Sequence, residues 1–339
     1  MRYPKFLKDN DTIGILATSC GNNKNPYRIR CQTAIKNMEE KGYKIKRGHR
    51  VFANYNATSA PHSIRAKDFN LFYKNKNIDI LWSTGGGEIM MGMLPYIDFD
   101  KISTLNPKLF VGFSDNTNLT FTLTTICDVV TVYGSSFTHM APNTLSIDAL
   151  DTLSLIRQEK LSFNSYPFYK GINSINPDTS YIATPFYNDE VKWLSLSEKE
   201  ESFEGRIIGG CIDVLICLCG TRFDNVTNFI EKYKNDGIVW YFDNCELNSC
   251  GLYRALFQLK ESGWFKYVKG FIIGRNGSEY EPLGYTFKQA LIDALGDLNV
   301  PVIYDADISH KSPSIPILNG SIAKITYKDN KGNIKFELR

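Results

Sequence analysis

Between residues 12 and 158, short apolar runs alternate with stretches of helical period, and no other feature constrains the fold as much. Thr12 to Ala17 reads as a strand, Pro26 opens a helical pattern stopped by Gly42, and Tyr43-Lys44-Ile45 begins a second strand. Ser63 to Tyr73 is the next helix, followed by strands at Ile78 to Trp82 and Pro107 to Val111. A helix over Asn116 to Cys127, a strand over Val129 to Gly134 and a helix over Leu145 to Gln158 complete the series. Repeated strand-then-helix order predicts a parallel sheet covered on both faces.

A chain of 339 residues is long for one core and comfortable for two domains. Helical periodicity is absent between Phe163 and Phe203, where asparagine, proline, serine and tyrosine dominate. The expected division is a nucleophile domain over 1–165, a linker region over 166–203, in which strands of the second domain can already occur, and a C-terminal domain over 204–339. The fold class predicted is α/β, with an N-terminal parallel-sheet domain joined to a smaller, strand-rich C-terminal α/β domain. In the second domain Gly237 to Phe242 is a strongly buried strand, Ser249 to Glu261 a helix and Val302 to Tyr304 a strand. Pro316-Ile317-Leu318 and Ser321 to Tyr327 read as strands paired about Gly320.

Basic and acidic residues number 39 and 36, for a net charge of +3, which argues against a nucleic-acid polymer as partner. No apolar run reaches the length of a membrane span and the first residues lack a signal-peptide core, so the expectation is a cytoplasmic protein with no membrane partner. The eight cysteines are scattered, mostly in apolar or helical patterns, and predict reduced, buried thiols. Four distant histidines without a Cys-x-x-Cys pair predict no metal and no cofactor.

The chemistry gathers at strand ends. Gly112-Phe113-Ser114-Asp115-Asn116 places a serine between a buried strand and a helix, where a nucleophile would be exposed. The same serine can cap the helix, and the two roles are compatible. It is not the hydrolase G-x-S-x-G, because Asn116 stands at the second glycine. Asp243 and Glu246 follow a second strand, and His310 follows a third. Serine hydrolysis needs a hydroxyl, an imidazole to take its proton and an anion to orient that imidazole. Spacing alone does not choose between Asp243 and Glu246. The Asp115 N–H and one from the Gly85-Gly86-Gly87 turn are the oxyanion donors expected. Arg275 and Lys311 are candidates to meet a substrate carboxylate.

These stretches, together with Thr12 to Ser19, Leu94 to Phe99, Gly209-Gly210-Cys211, Leu218 to Thr221, Tyr241 to Leu247 and Asp307-Ile308-Ser309-His310, resemble the LD-carboxypeptidase family of serine peptidases, which includes the microcin C immunity peptidases. The resemblance covers nearly the whole chain. It implies a Ser-Glu-His triad with Ser114 as nucleophile, His310 as base and the acid falling on Asp243, one methylene shorter than the family's glutamate. Glu246 matches a second acidic position, and Gly86 and Asp115 fall on the oxyanion hole. Cys211 stands where many relatives have asparagine. The resemblance further implies a cytoplasmic homodimer that needs no metal and acts on a small peptide or a peptide-nucleotide. The expected reaction is hydrolysis of an L-D amide bond at the C-terminal end of a murein peptide. The alternatives are hydrolysis of a microcin C-like peptide-nucleotide, conferring self-immunity, and a catalytically weakened peptide- or nucleotide-binding protein.

Overall fold

The computed structural model describes residues 1–171, 176, 178 and 180–339, which form two compact units. One comprises Met1–Lys160, Ile175–Phe186 and Pro316–Leu318; the other Leu161–Ser174, Tyr187–Ile315 and Asn319–Arg339.

The first unit is built on a six-stranded sheet. Across it the strands run Ile317–Asn319, Thr131–Tyr133, Leu109–Gly112, Ile80–Ser83, Thr12–Leu16 and Lys44–Arg47. Every pair from Thr131–Tyr133 to Lys44–Arg47 is parallel. After Thr12–Leu16 the chain turns first to one side, to Lys44–Arg47, and then to the other, to Ile80–Ser83. The switch between those directions falls between Thr12–Leu16 and Ile80–Ser83, whose carboxyl ends are the usual ligand position in open α/β sheets. The helix Thr117–Cys127 is buried almost throughout although threonine-rich. Its hydroxyls make this possible: Thr122 donates to Asn118 O, Thr124 to Thr120 O and Thr125 to Phe121 O.

The second unit holds an eight-stranded mixed sheet. Its order is Ser162–Asn164, Lys331–Glu337, Ile322–Lys328, Glu201–Cys211, Ile238–Asp243, Val268–Gly274, Val302–Ala306 and Leu194–Ser195. The four strands from Glu201–Cys211 to Val302–Ala306 are parallel, and antiparallel strands flank them on both sides. Ile238–Asp243 is buried at all six positions, with Trp240 stacked 5.5 Å from Trp264 and Phe242 against Phe271. The helix Ser249–Glu261 starts where the Asn248 side chain accepts from the Gly251 N–H and buries Leu252, Ala255, Leu256 and Leu259 along one stripe. Thr286 caps Phe287–Leu295 in the same way.

One expectation needs correction. Residues 316–318 and 321–327 do not pair about Gly320. Ile317–Asn319 joins the first unit's sheet, whereas Ile322–Lys328 lies between Glu201–Cys211 and Lys331–Glu337. Unsatisfied edges on two different sheets draw adjacent segments apart. Within the expected linker region, Leu194–Ser195 pairs with Val302–Ala306 and Phe168–Tyr169 pairs with Asp189–Glu190. Backbone pairing orders these polar, aperiodic stretches without needing an amphipathic pattern. Residues 172–175, 177 and 179 of that expected linker lie outside the described residues.

None of the eight cysteines is in a disulfide. Burial is narrower than expected: Cys31, Cys127 and Cys211 are buried, while Cys217 is exposed because it falls on the outer side of its helix. No helix among the described residues is long and apolar enough to cross a membrane.

Candidate active site

The candidate residues fall into two groups, one in each unit. In the first, the strand Leu109–Gly112 ends in a sharp turn with Ser114 at φ 62°, in the left-handed region. A non-glycine residue held there costs about 1–3 kcal/mol and is typical of functional turns. Gly112 makes the turn possible, since a Cβ there would lie 2.5 Å from Asn116 Cβ. The Ser114 N–H donates to the Tyr133 hydroxyl at 3.2 Å. Asn116 acts as a brace. Its amide donates to the carbonyls of Gly85 and Phe113, both at 3.0 Å, and its Oδ1 accepts from the Thr18 hydroxyl at 2.7 Å. One side chain thus ties together three strand ends, which glycine could not do.

The Gly85-Gly86-Gly87 turn runs against this elbow. A Cβ on Gly86 would stand 3.1 Å from Ser114 Cβ and 3.4 Å from its Oγ. The Gly86 carbonyl accepts from the Cys20 N–H and the Gly85 carbonyl from the Ser83 hydroxyl, so the turn is held from behind. The Asp115 carboxylate is buried and accepts from the Ser19 hydroxyl, the Met90 N–H and the Asn118 amide. Burial pushes its pKa up, opposed by the Ser19 and Met90 hydrogen bonds and by Arg65. Its side chain therefore braces the loops to which Ser19 and Met90 belong.

In the second unit the strand Ile238–Asp243 delivers the Asp243 carboxylate, fully buried, to the imidazole of His310. Nδ1 lies 2.9 Å from Asp243 Oδ2, and the His310 N–H donates to Oδ1 at 3.3 Å. The shorter acid reaches its partner. Burial by itself would lower the imidazole pKa, but the charge and hydrogen bond of Asp243, with a smaller contribution from Cys245, outweigh it and raise the pKa to about 11. Glu246 is exposed, and its amide, like that of Cys245, donates to the Asp213 carboxylate at 3.0 Å. The carboxylate on His310 is that of Asp243.

Three contributors escaped sequence reasoning. Asp213, in the first turn of the helix Ile212–Leu218 that follows the neighbouring strand Glu201–Cys211, fixes the 243–246 turn. Asp307 anchors the His310 loop by accepting from Arg275, the Trp193 indole N–H at 2.8 Å and the Tyr166 N–H at 3.0 Å. Tyr133 meets the elbow backbone. Each is a polar residue at the end of an apolar strand or the start of the helix after it, which was the signal available. Arg275, offered as a carboxylate ligand, is committed otherwise: besides Asp307 it donates to the carbonyls of Lys311 and Pro313, both at 2.9 Å. Lys311 pairs with Glu279 at 2.8 Å. Among the described residues no group of three or more His, Cys, Asp or Glu side chains is placed to hold a metal ion.

A buried carboxylate orienting an imidazole in one unit and a strained serine turn in the other are parts a serine peptidase of the α/β class uses. Residues 13–134 match the LD-carboxypeptidase N-terminal domain and residues 204–325 the LD-carboxypeptidase C-terminal domain, and the chain belongs to the LD-carboxypeptidase family. Among its relatives, the Vibrio cholerae protein named "Putative carboxypeptidase VC_A0337" is 25% identical over 93% of this chain and 92% of its own length. The microcin C7 self-immunity protein MccF of Escherichia coli is 24% identical over 95% of this chain and 92% of its own. The crystal structure of an MccF-like protein from Bacillus anthracis superposes with a TM-score of 0.82 at 22% identity, covering all of both chains. That likeness establishes the shared fold.

Proposed function

We propose that this chain is a serine carboxypeptidase that hydrolyses the amide bond at the C-terminal end of a small peptide, with an L-D bond of a murein peptide as substrate. The observation that carries the reading is the buried Asp243 carboxylate at 2.9 Å from His310 Nδ1. A carboxylate at Nδ1 holds the neutral imidazole in the tautomer whose Nε2 accepts a proton. In the proposed reaction Ser114 Oγ attacks the scissile carbonyl as His310 Nε2 takes the hydroxyl proton. The N–H groups of Gly86 and Asp115 stabilise the oxyanion. His310 then protonates the leaving amine, and water, deprotonated by the same imidazole, cleaves the acyl-enzyme to release the peptide acid and restore Ser114. The φ of 62° at Ser114 and the close approach of Gly86 support these assignments. We place the enzyme in the cytoplasm as a homodimer, in line with the family resemblance.

A fluorophosphonate probe followed by intact mass tests the nucleophile. One adduct is expected on the wild type and none on Ser114→Ala; an unlabelled but folded wild type would sink the reading.

A second reading, hydrolysis of a peptide-nucleotide, is favoured by the match to MccF over 95% of this chain. MccF has been solved in complex with glutamyl sulfamoyl guanosine and with aspartyl sulfamoyl adenosine. Mass spectrometry of products from a tetrapeptide ending in an L-D bond and from an aminoacyl sulfamoyl nucleoside separates the two.

A further inference from the structure

Residues 307–316, which carry His310, form no helix or strand, yet the place of that histidine is narrowly defined. Asp243 takes the His310 N–H at Oδ1 and the imidazole Nδ1 at Oδ2, so main chain and ring meet one carboxylate. A loop drifting about 1 Å from the strand end would lose both contacts.

The neighbouring strand Val268–Gly274 supplies what holds the loop. Gly274 lets the two chains touch, since a Cβ there would overlap the Ile308 carbonyl. Arg275 follows it and bonds the loop on both sides of His310. Its N–H donates to Ala306 O at 3.1 Å, and its carbonyl accepts from the Ser309 hydroxyl at 2.6 Å. That hydroxyl in turn accepts from the Lys311 N–H at 2.9 Å. The guanidinium donates through Nη2 to the carbonyls of Lys311 and Pro313 and through Nη1 to Asp307. Arg275 and Asp307 are both buried, and the Tyr169 ring lies 4.8 Å from the guanidinium carbon. With Asp307 itself fixed by the Trp193 indole and the Tyr166 N–H, the guanidinium has one orientation to adopt. A lysine would bring the same charge as a single point and could not serve two carbonyls and a carboxylate in one plane.

We propose that Arg275 is the positioning residue of His310: by gripping residues 309, 311 and 313 it fixes the imidazole on the Asp243 carboxylate. Its bonds go to Asp307, to Ser309 and to the loop's main chain, so it acts on the imidazole through the loop. That His310 is a catalytic base rests on the peptidase reading; that Arg275 places it on Asp243 does not. Burial lowers the imidazole pKa, and Asp243, with Cys245 behind it, raises it by more. A ring that drifts from Asp243 therefore titrates at lower pH.

The test is nuclear magnetic resonance of the ¹⁵N-labelled imidazoles of the full chain across a pH series, with the His310 signals assigned by their absence from His310→Gln. In Arg275→Lys, which keeps a charge facing Asp307, the His310 pKa is expected to fall by at least about one unit and its Nδ1–H to exchange faster with water. Ser309→Ala, which cuts the loop's bond to the Arg275 carbonyl, should move both signals the same way by less. Leu256→Ala lowers stability from the helix Ser249–Glu261 of the same unit and should move neither, which separates positioning from general loosening. If the peptidase reading holds, Arg275→Lys also lowers kcat by about a hundredfold with KM nearly unchanged. Wild-type imidazole signals in Arg275→Lys, or an equal shift in Leu256→Ala, would overturn the proposal. Should Arg275→Lys not fold, Ser309→Ala decides alone. Imidazole signals that move as expected, in a protein whose wild type takes no fluorophosphonate, would remove the peptidase reading and leave the positioning role standing.

Discussion

At position 243 the family resemblance puts an aspartate where a longer acid is expected, and its carboxylate meets His310 at 2.9 Å. The reach comes from the strand that carries it, buried to its last residue and locked at its end by the two N–H groups that Asp213 receives. Asp243→Asn is expected to lower kcat by about 10³–10⁴-fold, because an amide stabilises the wrong tautomer. Glu246→Gln should change it only a few-fold, and the reverse ranking in steady-state kinetics would move the acid role. The raised imidazole pKa also sets the pH dependence. His310 must be neutral to accept a proton, so kcat/KM should climb with pH along a limb displaced to the alkaline side of 6.5. In Asp243→Asn the residual limb should fall to the acid side, since burial is the largest influence left. For stability the sign is opposite. A folded-state pKa above the unfolded one gives a contribution fully present below about 6.5 and lost as pH rises toward about 11. Denaturant midpoints of wild type and His310→Gln should therefore converge as pH rises through that range.

Turns between elements divide what a sequence makes legible from what it conceals. The Ser114 elbow was readable because glycine before a serine at a strand end has a steric meaning, and Gly112 does sit too close to Asn116 for any Cβ, at 2.5 Å. The role of Asn116 was not readable, since its partners, Thr18 and Gly85, come from two other loops. The pairing of residues 316–318 was misread for a related reason. Two short apolar runs about a glycine have a hairpin's local pattern, and only the sheets available to them decide otherwise. The triple-glycine turn gives a prediction at this scale. Gly86→Ala brings a methyl to 3.1 Å from Ser114 Cβ without requiring a disfavoured φ, so the turn must shift by tenths of an ångström. The expected outcome is a fall in kcat/KM of at least about tenfold with Tm changed by only a few degrees. Unchanged kinetics would detach this turn from the reaction.

At the level of the whole molecule, alternation of strand and helix was enough to read the α/β class and the parallel sheet of the first unit. The division into units was less legible, because the chain passes between them near residues 160, 175, 187, 316 and 319, and contacts rather than composition mark those crossings. One crossing supplies Ile317–Asn319 to the first sheet, where Leu318 is fully buried beside Thr131–Tyr133. Leu318→Ala should cost about 2–5 kcal/mol, read as a lowered denaturant midpoint. During synthesis this arrangement has a temporal meaning. A first unit still tethered to the ribosome has an open edge beside Thr131–Tyr133 until residue 319 has emerged, by which point His310 has been made as well. A nascent chain cut short before that strand lacks the edge strand of its first sheet, however much of that sheet has already been translated.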